Sequence, residues 1–272
     1  MVSSCTPGVV TDAVKTAVLA KLNAFRTRHG LPSVSYDSSD DAAAGAAALY
    51  MVANNTLTHA PSASGTCYTS EAYRLASTSN LFMAWSSGDT SSMASADAIT
   101  SYINDSGVDS LGHRRWVLYP FFAKTTYGRA DGDSASGVQG RMASSLRTIG
   151  GEASSVSMTN DFVAFPYGSY SVSEFTPSWY LSFSAIASKT SIYSNDSSYV
   201  NLDSAVITVK DASGTSLTVS SQSTNYDGYG LPNSLQWKVA GLAAGGSYTV
   251  TISNVTVNSV TRTFTYSFQL TN

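Results

Sequence analysis

The stretch from Leu111 to Pro120 concentrates the residue types in this chain that are most capable of chemistry. It holds His113, one of only three histidines, together with two arginines, a tryptophan and a proline. Charged residues make up only 12% of the sequence, so a cluster of this kind is unusual for ordinary solvated surface. An imidazole can serve as a general base or bind a metal ion. The stretch therefore predicts a polar site close to a helix end.

A second isolated histidine, His59, precedes the turn-forming Pro61 in a setting of small and apolar residues. Two such histidines beside helix-ending signals indicate a shared polar cleft. The ordinary alternatives are a surface turn residue at His59 and a helix-capping ring at His113. Arg114 and Arg115 could bind an anion, but pairing with nearby carboxylates or backbone carbonyls is their more usual role.

The composition narrows the class of protein. A chain of 272 residues with 43% hydrophobic residues can build two packed domains. A net charge of −3 with sparse lysine and arginine argues against nucleic-acid binding. No run approaches the roughly 18 apolar residues that span a bilayer. Abundant Ser, Thr, Tyr and Gly are typical of secreted proteins, yet the first residues lack the pattern of a signal peptide, which predicts an intracellular protein or a mature end with an added methionine.

The two cysteines, Cys5 and Cys67, allow either one disulfide or two unpaired thiols. Both lie in Ser/Thr/Gly-rich segments that should be exposed, where a free thiol is a liability, and this favours the disulfide. Such a bond would close a loop of about 60 residues and stabilise the fold by roughly 4 kcal/mol.

The elements that must position these side chains are helices first and strands later. Apolar residues spaced three and four apart, and an alanine-rich run, predict the early helices. Helices are expected over 12–30, 38–52 and 95–103, and strands over 125–129, 141–147 and 161–165.

From Pro177 onward the residues alternate with a period of two, and turn residues recur between the alternating runs. Short strands divided by regular turns predict a β-sandwich of roughly 90 residues, near the size of an immunoglobulin-like module. Trp237 in a middle strand and Tyr266 in a late strand fit that architecture. No cysteine pair spans the region, so an antibody-type domain is excluded.

Several short motifs of the first part occur in the order and at the spacing of one known family. This part resembles the CAP superfamily (cysteine-rich secretory proteins, insect venom antigens and plant pathogenesis-related proteins), in particular its bacterial SCP-like extracellular branch. The matching pieces are Leu22–Arg26, Gly30–Pro32, Thr58–His59, Ser79–Leu81, Ala98–Tyr102, Gly112–Arg115 and Leu118–Pro120.

The resemblance implies an α-β-α sandwich, in which helices cover a small antiparallel sheet. The predicted class is therefore α+β, with a C-terminal all-β immunoglobulin-like sandwich. The predicted division is an N-terminal extension over 1–11, a CAP domain over 12–167 and a fibronectin- or immunoglobulin-like sandwich over 168–272.

The family's cleft holds two histidines and two acids, which in some members bind a divalent metal such as zinc. By position, His59 and His113 match the histidines, Asp105 matches one acid, and Ser79 stands where the other acid is expected. Glu71 lies upstream and could substitute. Losing an acid weakens the attraction for a cation and removes a general base. A metal-free polar cleft is the main expectation, with zinc or another divalent metal on the two histidines as the alternative.

The resemblance thus predicts a secreted or cell-surface bacterial protein that acts as a binding module. Its partner would be a cell-wall, glycan, lipid or protein ligand, with no nucleic acid and no transmembrane segment. The alternatives are a zinc-dependent, peptidase-like hydrolase that uses His59 and His113, and a structural surface protein with a vestigial cleft.

Overall fold

The computed structural model describes residues 2–86, 90, 93–132 and 140–272. These residues form five α-helices and fifteen β-strands. The helices are α1 (Asp12–Arg28), α2 (Asp41–Asn54), α3 (Ser70–Ser77), α4 (Asp97–Asn104) and α5 (Gly112–Val117). The strands are β1 (Ser35–Tyr36), β2 (Ser79–Ser86), β3 (Lys124–Thr125), β4 (Tyr127–Gly132), β5 (Gly140–Arg147), β6 (Phe162–Phe165), β7 (Gly168–Ser171), β8 (Leu181–Ala185), β9 (Val200–Asn201), β10 (Val206–Asp211), β11 (Ser216–Leu217), β12 (Val219–Asn225), β13 (Ser234–Val239), β14 (Ser247–Val257) and β15 (Val260–Thr271).

The chain divides into two compact units whose segments alternate along the sequence. The first unit contains the residues up to Asn23, Ser33–Tyr102 and Phe122–Glu152, and the second contains Ala24–Pro32, Ile103–Phe121 and Ala153–Asn272. Because the segments alternate, no single residue separates the units. The division into 1–11, 12–167 and 168–272 stays a prediction.

A three-stranded antiparallel sheet with the order β2-β5-β4 forms the frame of the first unit. Helix α2 packs on this sheet because its alanines allow the backbones to approach closely. A Cβ atom built on Gly128 would lie only 2.1 Å from the carbonyl carbon of Ala44, so β4 requires glycine at this point. The Ser145 hydroxyl on β5 donates to the Ala44 carbonyl at 3.0 Å. The sheet lies so close to α2 that only small side chains fit on this face of the helix.

Two sheets make up most of the second unit. One has the order β11-β10-β14-β15-β7 with β9 also paired to β14, and the other has the order β12-β13-β8-β6. Aromatic rings join them, since Phe162 and Phe183 of one sheet lie 5.8 and 5.1 Å from Phe264 of the other. In β15 alternate residues are buried, as a strand with one face on a core requires.

The mixed helix and sheet content agrees with the α+β prediction. The helices predicted over 12–30, 38–52 and 95–103 are present as α1, α2 and α4, and each predicted strand overlaps an observed one. Phe162–Phe165 joins the four-stranded sheet of the second unit as β6, where its aromatic side chains reach the facing sheet. Among the described residues, no helix is both long and apolar enough to span a membrane.

Candidate functional site

A buried aspartate holds the histidine of the arginine-rich stretch in the second unit. The Nδ1 atom of His113 lies 2.7 Å from Oδ1 of Asp105. The Asp105 side chain is 1% exposed and that of His113 is 23% exposed. Opposite an ionised carboxylate Nδ1 carries the proton, and the lone pair of the neutral ring is then on Nε2. The aspartate therefore fixes both the orientation and the tautomer of the imidazole.

The loop between α4 and α5 brings these two side chains together. Asp105 follows the last residue of α4 with a left-handed backbone (φ 51°), and Leu111 has the same conformation (φ 50°) just before α5. Between them the Val108 N–H donates to the Asp105 carbonyl and the Leu111 N–H to the Val108 carbonyl, so the loop is short and hydrogen-bonded. Aspartate tolerates the left-handed region better than most residues do, whereas leucine adopts it at a cost.

Both carboxylate oxygens of Asp105 are engaged in the protein's own hydrogen bonds. Oδ1 contacts His113, and Oδ2 accepts the backbone N–H of Arg114 at 3.2 Å. The indole Nε1 of Trp179 donates to the Asp105 carbonyl at 3.0 Å. Because the carboxylate is buried and accepts two hydrogen bonds, it serves as a support for the imidazole.

The guanidinium of Arg114 caps the end of α4. It donates to the carbonyls of Ile103 and Asn104 at 2.7 Å each and to the carbonyl of Tyr180 at 2.8 Å. It also lies 4.0 Å over the ring of Phe165. Burial lowers its pKa to about 10. The expectation that this arginine serves carbonyls near a helix end is confirmed.

Arg115 forms a similar set of hydrogen bonds with a different loop. It donates to the Leu231 carbonyl from two nitrogens at 2.9 and 2.7 Å, to Asn225 Oδ1 at 2.5 Å and to the Asp227 carbonyl. Burial lowers its pKa to about 10. The two arginines thus tie α5 to the strands of the second unit, and their charge serves the fold.

Aromatic side chains flank the histidine segment. Tyr229 is 44% exposed, and its Cγ would lie 3.7 Å from a Cβ on Gly112. The Lys238 ammonium lies 4.8 Å over Trp179 and 4.6 Å over Tyr180. The surface near α5 therefore offers aromatic rings beside an imidazole, a combination common in recognition sites.

The other predicted site residues lie in the first unit. His59 is exposed, and its Nδ1 donates to the Ala76 carbonyl at 2.8 Å. Ser79, at the start of β2, is 5% exposed, and within the described residues its hydroxyl has no hydrogen-bond partner. Glu71, the suggested substitute acid, pairs with Arg74 on the same helix at 2.6 Å.

The metal prediction on His59 and His113 stays a prediction. Across the ranges that the structure describes, no three His, Cys, Asp or Glu side chains come together as metal ligands. Zinc requires three or four such ligands. The Asp105 side chain is 1% exposed, and its two oxygens accept hydrogen bonds from His113 and from the Arg114 backbone.

Cys5 and Cys67 are joined by a disulfide, with 5.0 Å between their Cα atoms and a sequence separation of 62. The bond holds the N-terminal segment against the first unit, where Val2 and Cys67 pack on the alanine-rich core.

The third histidine, His29, is not among the site residues predicted from the sequence. His29 is 3% exposed, and its Nε2 lies 2.6 Å from the Tyr170 hydroxyl. Burial, reinforced by the charge of Arg28, lowers its pKa to about 3. Arg26, one turn earlier, donates to the carbonyls of Val117 and Tyr119 at 2.8 Å each. Their position in the last turn of α1 and just after it, in a chain with few charges, is the signal that could have marked them.

The fold and the site define a mixed α+β protein with a carboxylate-supported histidine beside the exposed ring of Tyr229. Residues 19–139 match the family model described as the cysteine-rich secretory protein family, named CAP. This segment is therefore similar to the family that the sequence motifs indicated. A solved structure titled "Crystal Structure of MpPR-1i" aligns at 15% identity over 54% of this chain and 93% of that one, with a TM-score of 0.32. No curated protein matches the chain.

Proposed function

We propose that this protein is an extracellular or cell-surface binding module of the bacterial CAP type, with an immunoglobulin-like sandwich attached. Its ligand is a cell-wall, glycan, lipid or protein partner that contacts the surface around His113. The observation that carries the proposal is the engagement of Asp105 by His113 and Arg114. A carboxylate held in this way positions an imidazole for recognition.

The same observation weighs against hydrolysis. A hydrolase of this cleft needs a carboxylate that can bind a metal or take a proton from water. The Asp105 side chain is 1% exposed and accepts two hydrogen bonds. Ser79 stands at the position where the second acid is expected. Binding requires neither a metal ligand nor a base, and it uses the groups that are present.

The chemistry of recognition follows from the neighbouring groups. The imidazole of His113 is held by Asp105 and is 23% exposed, so it is the polar side chain that a ligand would meet here. Tyr229 adds an exposed ring whose centre lies 5.5 Å from the Arg115 guanidinium. An exposed aromatic ring beside a held imidazole suits a ligand with hydroxyl groups and apolar faces.

Cosedimentation with insoluble peptidoglycan, glycan arrays and phospholipid vesicles tests the proposal. We expect binding to one of these partners, reduced at least tenfold by His113→Gln and by Tyr229→Ala. Tyr193→Ala is the matched control, since that tyrosine is 80% exposed in a loop of the same unit. Absence of binding to every partner, or equal binding by all variants, would overturn the proposal.

A zinc-dependent hydrolase is the alternative, and one observation favours it. Both His59 and His113 direct Nδ1 to an oxygen, which places the ring lone pair on Nε2, as in carboxylate- or carbonyl-supported zinc ligands. Zinc calorimetry at neutral pH separates the two functions. Micromolar binding that His59→Ala and His113→Ala each abolish, together with chelator-sensitive turnover, would favour the hydrolase.

A further inference from the structure

An open cavity of about 300 Å³ lies in the first unit, beside the segment that leads into α1. One wall is apolar and is made by Val9, Val10 and Val14. The opposite wall is polar and contains Arg129 and Asp131. Cavities of this size with a few polar groups on an apolar lining are typical sites for small molecules.

The N–H donors of Arg129, the arginine of the polar wall, are already engaged in hydrogen bonds within the protein. Its Nε and one Nη2 hydrogen face the Asp131 carboxylate at 2.8 Å each, and its Nη1 hydrogens face the Met93 carbonyl and Ser95 Oγ at 2.5 and 3.0 Å. The remaining Nη2 hydrogen faces the Thr90 carbonyl at 2.9 Å. Arg129 thus directs all five N–H groups at the protein, and an anionic ligand would gain little from it.

The carboxylate beside it keeps capacity to accept. From the residues that the structure describes, Asp131 receives two hydrogen bonds from Arg129 and a third from the Thr90 hydroxyl at 3.1 Å. A carboxylate has about four lone-pair positions, and the Asp131 side chain is 29% exposed. The charges of Arg129 and Asp131 therefore balance each other, and the Asp131 carboxylate can accept a hydrogen bond from a ligand.

The apolar wall is held in place before any ligand binds. Upstream the segment is fixed by the disulfide at Cys5. At Pro7 it lies on α2, where a Cβ on Gly45 would be 3.1 Å from the proline Cβ. Downstream the Val14 N–H donates to Thr11 Oγ1 at 3.5 Å. A wall ordered in advance lowers the entropic cost of binding.

We propose that this cavity binds a small uncharged alcohol with a compact apolar body. The hydroxyl donates to Asp131, and the body packs on Val9, Val10 and Val14. A space of about 300 Å³ accommodates one or two fused rings and excludes long acyl chains. The site uses none of the groups around His113, so it stands or falls independently of the proposed function.

Three naphthalenes of nearly equal size test the ligand chemistry. 2-Naphthol carries a donor, 2-methoxynaphthalene lacks one, and 2-naphthoate carries a negative charge. Titration of the intact, oxidised protein at pH 7, followed by ligand fluorescence and by protein NMR shifts, gives the three affinities. We expect 2-naphthol to bind at least fivefold more tightly than the ether and tenfold more tightly than the acid. Equal affinity for 2-naphthol and 2-naphthoate would overturn the proposal.

Two variants locate the binding. Val14→Trp fills the cavity and should abolish 2-naphthol binding, whereas Val206→Trp, at a valine 52% exposed on β10, should leave it unchanged. Val9→Asp changes a residue that is 89% exposed, so it preserves the fold if the tryptophan does not, and it should weaken binding about tenfold. Val260→Asp is its control. Undiminished binding to folded Val9→Asp and Val14→Trp would refute the assigned location.

Discussion

The buried histidine that follows α1 should make the second unit sensitive to acid. His29 is 3% exposed and packs against Phe165, Tyr167 and Tyr170 at ring-centre distances of 6.2, 6.0 and 5.9 Å. Burial is the first cause of its lowered pKa, and the charge of Arg28 adds to the effect. Between about pH 3 and pH 6.5 the imidazole is therefore neutral in the folded protein, whereas an exposed histidine is protonated.

The sign and size of the effect follow from proton linkage. The pKa is about 3 in the folded state against 6.5 for a free histidine, so between these values the unfolded chain binds one more proton. The free energy of unfolding then falls by about 1.4 kcal/mol for each pH unit below 6.5. Between pH 6.5 and pH 4 the loss amounts to roughly 3 kcal/mol, and it levels off near the folded pKa.

Urea unfolding of the wild type and of His29→Gln at pH 7.5, 6.5, 5.5 and 4.5 measures this term. Trp179 and Trp237 belong to the same unit, so their fluorescence reports its unfolding. Glutamine can still bond the Tyr170 hydroxyl but does not titrate. The other ionisable groups are common to both proteins, and their contributions cancel in the difference.

The expected result is a stability difference that shifts towards the variant by about 1.4 kcal/mol per pH unit below pH 6.5. A constant offset between the proteins would reflect packing alone and leaves this slope intact. Parallel stability profiles between pH 6.5 and 4.5 would refute the reasoning. The double variant His29→Phe/Tyr170→Phe, which removes the buried hydroxyl as well, should show the same loss of pH dependence.

Three further predictions concern stability. Removing the disulfide by Cys5→Ser/Cys67→Ser should lower the free energy of unfolding by about 4 kcal/mol, because a closed loop of 62 residues is released; an unchanged urea midpoint would contradict this. Arg115→Lys should cost about 3 kcal/mol, because an ammonium cannot reproduce the forked bonds to buried carbonyls, and an equally stable variant would show that one donor suffices. Gly128→Ala should lower the melting temperature by several degrees, because its methyl group meets the α2 backbone at Ala44; Gly214→Ala, at an open turn, is the control for glycine replacement and should show only the smaller cost of its positive φ.

Much of the local structure could be predicted from residue spacing. The stripe of apolar residues in α1 and the alternation in β14 and β15 each repeat within a few positions, and this is the range over which spacing decides which face is buried. Helices α3 and α5 were missed, and the 6 residues of α5 are too few to show a helical repeat.

The site was predicted in part. His113 and Asp105 were both named as site residues, and the structure places them 2.7 Å apart. The structure shows Asp105 supporting the imidazole, a role that position in the sequence does not distinguish from metal binding. The roles of Arg114 and Arg115 depend on their burial. Only that burial directs their donors to carbonyls as distant in sequence as Leu231, 116 positions away.

The sequence alone therefore determined the α+β class, the run of strands after Pro177, the similarity of residues 19–139 to one family model and the identity of the chemically capable side chains. These properties are carried by local patterns and residue types. The tertiary structure decided how each side chain is used. It buried His29 among aromatic rings, assigned Asp105 to His113 and saturated Arg129 beside the cavity. Such pairings depend on contacts between distant segments, and burial sets the electrostatic cost of each charge.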